Sequence, residues 1–122
     1  KAVRVAQDVA KASNWGNPYS LVDHTIRHAA DFGLKSNDVA GYAKASNQFI
    51  SNASAGLKQG STRYDSFAGT GKNAGKTYFF DTKTSTYGIK NADGTTATAY
   101  KPKGGDPVKA QNYWNNKKKN GG

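Results

Sequence analysis

The chain holds two histidines, His24 and His28, four residues apart. Were the segment helical, at about 3.6 residues per turn, both rings would lie on one flank together with Arg27 and Asp31. Imidazole is the side chain whose ordinary pKa lies closest to neutrality, so this flank is the first place to look for proton transfer. On the same wheel Leu21, Val22, Ile26, Ala29 and Phe32 form an apolar stripe, and His28 stands at its border. A border position suits a catalytic histidine, because the packed side fixes the rotamer while the polar side meets a substrate. A histidine at a boundary is nevertheless more often structural or simply exposed, and the pattern alone does not decide.

The same His-x3-His spacing is found in metal sites, which need a third protein ligand. The chain has no third His, so Asp31 or Asp81 would have to serve. With no Cys there is neither a disulfide framework nor a Cys-type zinc site. All eight acids are Asp, so a glutamate base is excluded and proton transfer falls to His, Asp, Lys and Tyr.

These side chains need elements to hold them. Ser20 precedes Leu21 and has Asp23 three residues on, a capping-box pattern, with Pro18 fixing the entry. A helix over 21–32 is predicted, capped by Gly33. Ser36 or Asn37 can cap a second helix to about Ala53, with Val39, Tyr42, Ala43, Ser46, Phe49 and Ile50 at helical spacing. After Gly60 the period changes to two, and 61–67, 76–80, 86–90 and 95–101 read as strands. The turns between the last three lie at 81–85 and 91–94, the latter with Asp93-Gly94. Helices first and a meander afterwards predict an α+β domain, its N-terminal helices packed on a small twisted antiparallel sheet. Residues 69–75 are expected as a flexible loop carrying Lys72. Residues 1–19 are expected as a linker or helical collar, 20–114 as the functional domain, and 115–122, with Lys117 to Lys119, as a flexible basic tail.

The net charge of +10 makes nucleic acid the first partner to consider, since such a surface attracts phosphate backbones by releasing their counterions. The imbalance is uneven: seven Lys or Arg face four Asp up to Gly60, and eleven face four from Ser61, giving +3 and +7. No apolar run approaches the roughly 18 residues that a membrane span needs, and 1–12 is too polar for a signal-peptide core. The chain starts at Lys1 without Met, which suggests a piece of a larger protein.

Arg27-His28-Ala29-Ala30-Asp31-Phe32-Gly33-Leu34 resembles the helix motif at the start of the colicin D nuclease domain. Lys76-Thr77-Tyr78-Phe79-Phe80-Asp81 is similar to that family's Lys-x-Tyr-Phe strand, although the family continues with Asn-Pro where this chain has Phe80-Asp81. The order from Tyr78 to Trp114 is an aromatic strand, a Thr-rich turn, Asp93-Gly94, Thr98-Ala99-Tyr100-Lys101-Pro102 and Tyr113-Trp114. It resembles the C-terminal half of many toxin tips of contact-dependent growth inhibition systems. The likeness spans roughly 21–114. Ala97-Thr98-Ala99 replaces the Ser-Gly-Trp of colicin D, so neither the tRNA nor the cleavage position carries over.

The resemblance implies a ribonuclease of the barnase, colicin D and RelE type that needs no metal or other cofactor. In such enzymes the RNA's own 2′-hydroxyl attacks the adjacent phosphate. It implies His28 as the catalytic imidazole with Arg27 beside it, and His24 is a further candidate. By position and chemistry, Lys76 could neutralise phosphorane-like charge, and Thr98 with Tyr100, alternating on one strand, could hold the scissile phosphate. Arg63, Lys72, Lys90 and Lys101 are candidates for the RNA backbone. The partners implied are RNA, tRNA first, and an acidic immunity protein, on an otherwise monomeric domain. The domain would be released from a larger secreted or cell-surface protein and act in the cytoplasm of a target bacterium. Two rivals remain: a non-catalytic basic module that stacks single-stranded bases on its tyrosines, and a metal-dependent DNase toxin.

Overall fold

The computed structural model describes residues 14–122; the helix considered for 1–13 lies outside them. Alternation of apolar and polar residues after Gly60 builds four strands, β1 (Tyr64–Ala68), β2 (Thr77–Asp81), β3 (Thr86–Lys90) and β4 (Thr96–Tyr100). They form one antiparallel sheet in the order β1-β2-β3-β4. The register aligns Tyr78 with Ile89 and Thr98, and Phe80 with Tyr87 and Tyr100, so these six share one face. Phe79, Gly88 and Ala99 lie on the other. A β-bulge at Ile89/Lys90 adjusts the pairing of β3 with the start of β4.

Three helices complete the α+β fold. Helix α1 (Pro18–His28) continues as a 3-10 turn (Ala29–Phe32) that ends at Gly33, φ +71°. Helix α2 spans Val39–Lys58 and α3 spans Pro107–Asn120. The cap of α1 is Asn17, whose Oδ1 accepts from the amides of Tyr19 and Ser20, with Pro18 in the first turn; Ser20 is already inside the helix. Asp38 caps α2, one residue beyond the expected Asn37.

Helix α2 covers the Phe79 face with Ile50 and Ala53, and its Tyr42 hydroxyl donates to the Ala99 carbonyl at 2.6 Å. Gly88 permits this approach, because a Cβ there would lie 2.7 Å from the Phe49 ring and 2.9 Å from Ile50 Cδ1. On α1 the buried residues are Leu21, Thr25 and Ala29, and Ile26, expected in the stripe, is 63% exposed. The buried face is therefore rotated toward the histidines. Residues 14–17 are no linker: the Thr96 carbonyl accepts from Gly16 N at 2.9 Å, Thr96 N donates to Asn14 O at 2.7 Å, and Trp15 is buried.

The basic end is likewise no loose tail. Asp106 and Pro107 start α3, Ala110 and Trp114 bury one side of it, and Gly121 closes it at φ +74°. Lys117 to Lys119 occupy its last turn, where cations favour the negative end of the helix dipole. Trp114 packs on Phe80 and Phe67, and its Nε1 donates to Asp65 at 2.8 Å. The loop 69–75 contains a 3-10 turn, Gly71–Asn73. Among the described residues no helix is long and apolar enough to cross a membrane. Removing the fully buried Trp114 should therefore cost about 3–5 kcal/mol of stability, as large-to-small core changes do. Chemical denaturation of Trp114→Ala measures this; a loss under about 1 kcal/mol would mean that α3 is not docked.

Candidate active site

The rotated buried face of α1 presses both imidazoles against the end strand of the sheet. His24 Nδ1 lies 2.6 Å from Thr98 Oγ1, and the His28 ring meets Tyr100 edge to face at 4.5 Å between centroids. Trp15 packs on the other side of His24 at 5.9 Å, and the two histidine rings are 5.8 Å apart. Tyr100 stacks on Tyr87 at 5.2 Å, while its hydroxyl hydrogen-bonds that of Tyr113 on α3 at 2.5 Å. One row of rings thus joins α1, β4, β3 and α3. His28 is the last residue of α1, where the helix tightens into the 3-10 turn, so its side chain is anchored at an element's end.

A cavity of about 380 Å³ opens beside this row, lined by Arg27, His28, Asp31, Tyr100, Lys103 and Tyr113 among others. Its rim is basic. Arg27 pairs with Asp23 one turn earlier at 2.7 Å, but both are largely exposed, so the pair is weak and water-screened. Asp31 Oδ2 accepts from Lys101 N at 2.9 Å and lies 3.9 Å from His28 Nδ1, too far for a hydrogen bond. Among the described residues no three His or Asp side chains gather as metal ligands.

Partial burial, then the Arg27 charge, lowers both imidazole pKa values. His24 falls to about 4, and His28 falls below its ordinary value. Both rings are therefore neutral at neutral pH, and the contact of His28 with Asp31 is not an ion pair. A neutral imidazole can accept a proton. The tyrosine hydroxyls behave oppositely, since burial pushes Tyr100 and Tyr87 far above the usual phenol range and keeps them protonated. An acceptor and a donor thus face one basic cavity.

Of the residues singled out from the sequence, the structure brings together His24, His28, Arg27, Thr98 and Tyr100, with Lys101 on the cavity wall. Four others stand elsewhere. Lys76 precedes β2, and the register places it about two strand spacings, roughly 10 Å, across and roughly 13 Å along the sheet from Tyr100. Lys90 alternates onto the α2 face and lines a cavity with Lys58 and Ser54. Arg63 is held by both oxygens of the buried Asp81 at 2.9 and 2.7 Å, and so closes the turn after β2. Lys72 sits on the 3-10 turn beside Thr70, which contacts Gly121 at the far end of α3. Tyr113 and Lys103 complete the site, though the sequence singled out neither for chemistry. The signal for Tyr113 was the Asp106-Pro107 helix start, which puts Trp114 inward and its neighbour toward β4.

No protein-family model matches the chain, and no curated protein sequence matches it.

The lowered His24 pKa has a consequence for stability. The unfolded ring, near 6.5, binds a proton between pH 6.5 and about 4 that the folded ring refuses, so this contribution is complete above pH 6.5 and is lost as pH falls through that window. Melting curves between pH 7 and 4 should fall less steeply for His24→Gln than for the wild type. Parallel curves would show that His24 is not held neutral.

Proposed function

We propose that this domain is a metal-independent endoribonuclease, the nuclease tip of a bacterial polymorphic toxin that acts on RNA such as tRNA. The observation that carries the reading is the placement of a neutral His28 against the ring of Tyr100, whose hydroxyl bonds that of Tyr113, in a cavity rimmed by Arg27 and Lys103. In this reading His28 takes the proton of the substrate 2′-hydroxyl, and the freed oxygen attacks the adjacent phosphorus. Arg27 offsets the added negative charge at the phosphate. The P–O5′ bond breaks, and a tyrosine hydroxyl returns a proton to the leaving oxygen, which leaves a 2′,3′-cyclic phosphate and a 5′-hydroxyl end. His24 and Thr98 hold the row of rings from behind.

The resemblance to the colicin D and contact-dependent toxin motifs supports the assignment of His28 and Arg27. The stacking-module alternative is disfavoured because Tyr78 and Tyr87 are 3% and 1% exposed, so the face that would stack bases is filled by α3. A producer of such an enzyme must block it, and the cationic rim fits an acidic immunity protein whose association would slow with salt.

Cleavage of tRNA should persist in excess EDTA, spare DNA, and leave cyclic-phosphate ends; activity restored only by zinc or magnesium would point to the DNase alternative. His28→Ala should lower kcat/KM at least tenfold, about 1.4 kcal/mol of transition-state stabilisation, with a melting change limited to the loss of its ring contacts with Tyr100 and His24. The pH profile should rise with its midpoint below that of an ordinary imidazole, since burial lowers the base, and show no basic limb before the ordinary phenol range. Retention of more than a tenth of the activity would remove His28 from the mechanism.

A further inference from the structure

A second cavity, about 590 Å³, runs along α3 and shares Tyr113 and Lys103 with the His28 cavity, so the two form one continuous surface. Two stripes of the helix line it. Lys109, Tyr113 and Lys117 succeed each other every four residues, and Asn112, Asn116 and Asn120 do the same beside them. No Asp side chain lines this cavity, whose wall Gly122 completes. The neighbouring Lys118 is spent on Asp65 at 3.0 Å, whereas the Lys117 ammonium stands 5.6 Å from the centre of the Tyr113 ring, at the junction with the candidate active site.

We propose that this cavity is a binding track for a single-stranded RNA segment flanking the scissile phosphate. The proposal rests on the ribonuclease reading but adds a subsite separate from the reacting atoms. Lys109 and Lys117, two turns or about 12 Å apart on the helix, are placed to neutralise separate phosphates of one strand, and the carboxamides beside them can donate to and accept from base edges. The stripes lead to Tyr113, whose hydroxyl touches Tyr100, so a strand lying on α3 is delivered to His28. The volume falls in the range of roughly 300–1,000 Å³ that encloses a drug-sized ligand; it suits one or two nucleotides and cannot seat a duplex.

The test compares Lys109→Gln and Lys117→Gln with the wild type on two substrates: a mixed-sequence single-stranded RNA of about twelve nucleotides, and a dinucleotide short enough to reach only the His28 cavity. Binding of the longer RNA, made uncleavable by 2′-deoxy substitution, is followed by fluorescence anisotropy across a salt series. Each variant should lower affinity and kcat/KM for the long RNA about five- to tenfold at low salt, and flatten the log–log salt slope by about 0.7. Dinucleotide cleavage and melting should not change. Unaltered affinity, tighter binding of a duplex of equal length, a parallel loss on the dinucleotide, or an effect confined to an acidic protein ligand would each overturn the track. Lysine-dependent binding by a wild type that cleaves neither substrate would instead refute the ribonuclease reading and leave the track standing.

Discussion

An antiparallel sheet of four strands leaves a bare edge on β4, and the backbone groups there must find partners. Thr96 is paired by Asn14 and Gly16, the Ala99 carbonyl by the Tyr42 hydroxyl, and the Lys101 amide by Asp31. These partners come from the segment before α1, from α2 and from the 3-10 turn after α1. Closing the edge therefore fixes α1 at both ends beside β4, and the helix has little freedom to rotate. Its histidines face Thr98 and Tyr100 as a consequence of how the edge is covered.

The same closure sets the chemistry. Rings drawn against a sheet edge lose part of their hydration, and an imidazole so placed resists protonation unless a carboxylate compensates. Asp31, which accepts from the Lys101 amide, and Asp23 both pull the His28 pKa upward, but they do not offset burial and Arg27. Tyr100 experiences the same burial with opposite effect on its acidity. One environment thus separates a proton acceptor from a proton donor.

The fold was legible where the pattern was long. Four strands, the α2 core positions and the Gly33 cap follow from periodicity and cap chemistry, and the α+β class from their order. Helix α3 was obscured because only Ala110 and Trp114 are buried along fourteen residues dominated by Asn and Lys. Thr25 reads as polar, yet its hydroxyl bonds the Leu21 carbonyl at 2.7 Å and lets it lie in the core, which moved the buried face away from Ile26. Within the site, pairs on one element or adjacent turns were visible: His24 with His28, and Thr98 with Tyr100. What brings α1 to β4, and Tyr113 to Tyr100, is contact between distant segments, which local spacing does not encode. Arg63 and Lys90 stand away from the cavity, since a cation in or beside a strand carries no mark of the face or the partner it will meet.

The absence of Glu has a structural meaning as well. Among the described acids, Asp38 and Asp106 cap α2 and α3, Asp65 accepts from Ser66 N, Asp81 from Lys83 and Thr84 N, Asp93 from Thr95 N, and Asp31 from Lys101 N. Five of these six bonds or bond sets lie within three residues in sequence, a reach that suits the short Asp side chain and explains why no longer acid appears. Asp23 pairs with Arg27, and Asp81 and Asp65 add pairs with Arg63 and Lys118 to their backbone bonds. The acids are thus consumed in shaping caps and turns, and few remain to neutralise cations on the surface. Along α3 the face is basic, since Lys109 and Lys117 line it with no Asp side chain beside them. The charge that would draw a phosphate chain toward His28 is the excess of eighteen Lys and Arg over eight Asp, and the local use of those Asp at caps and turns leaves the α3 stripe free of them.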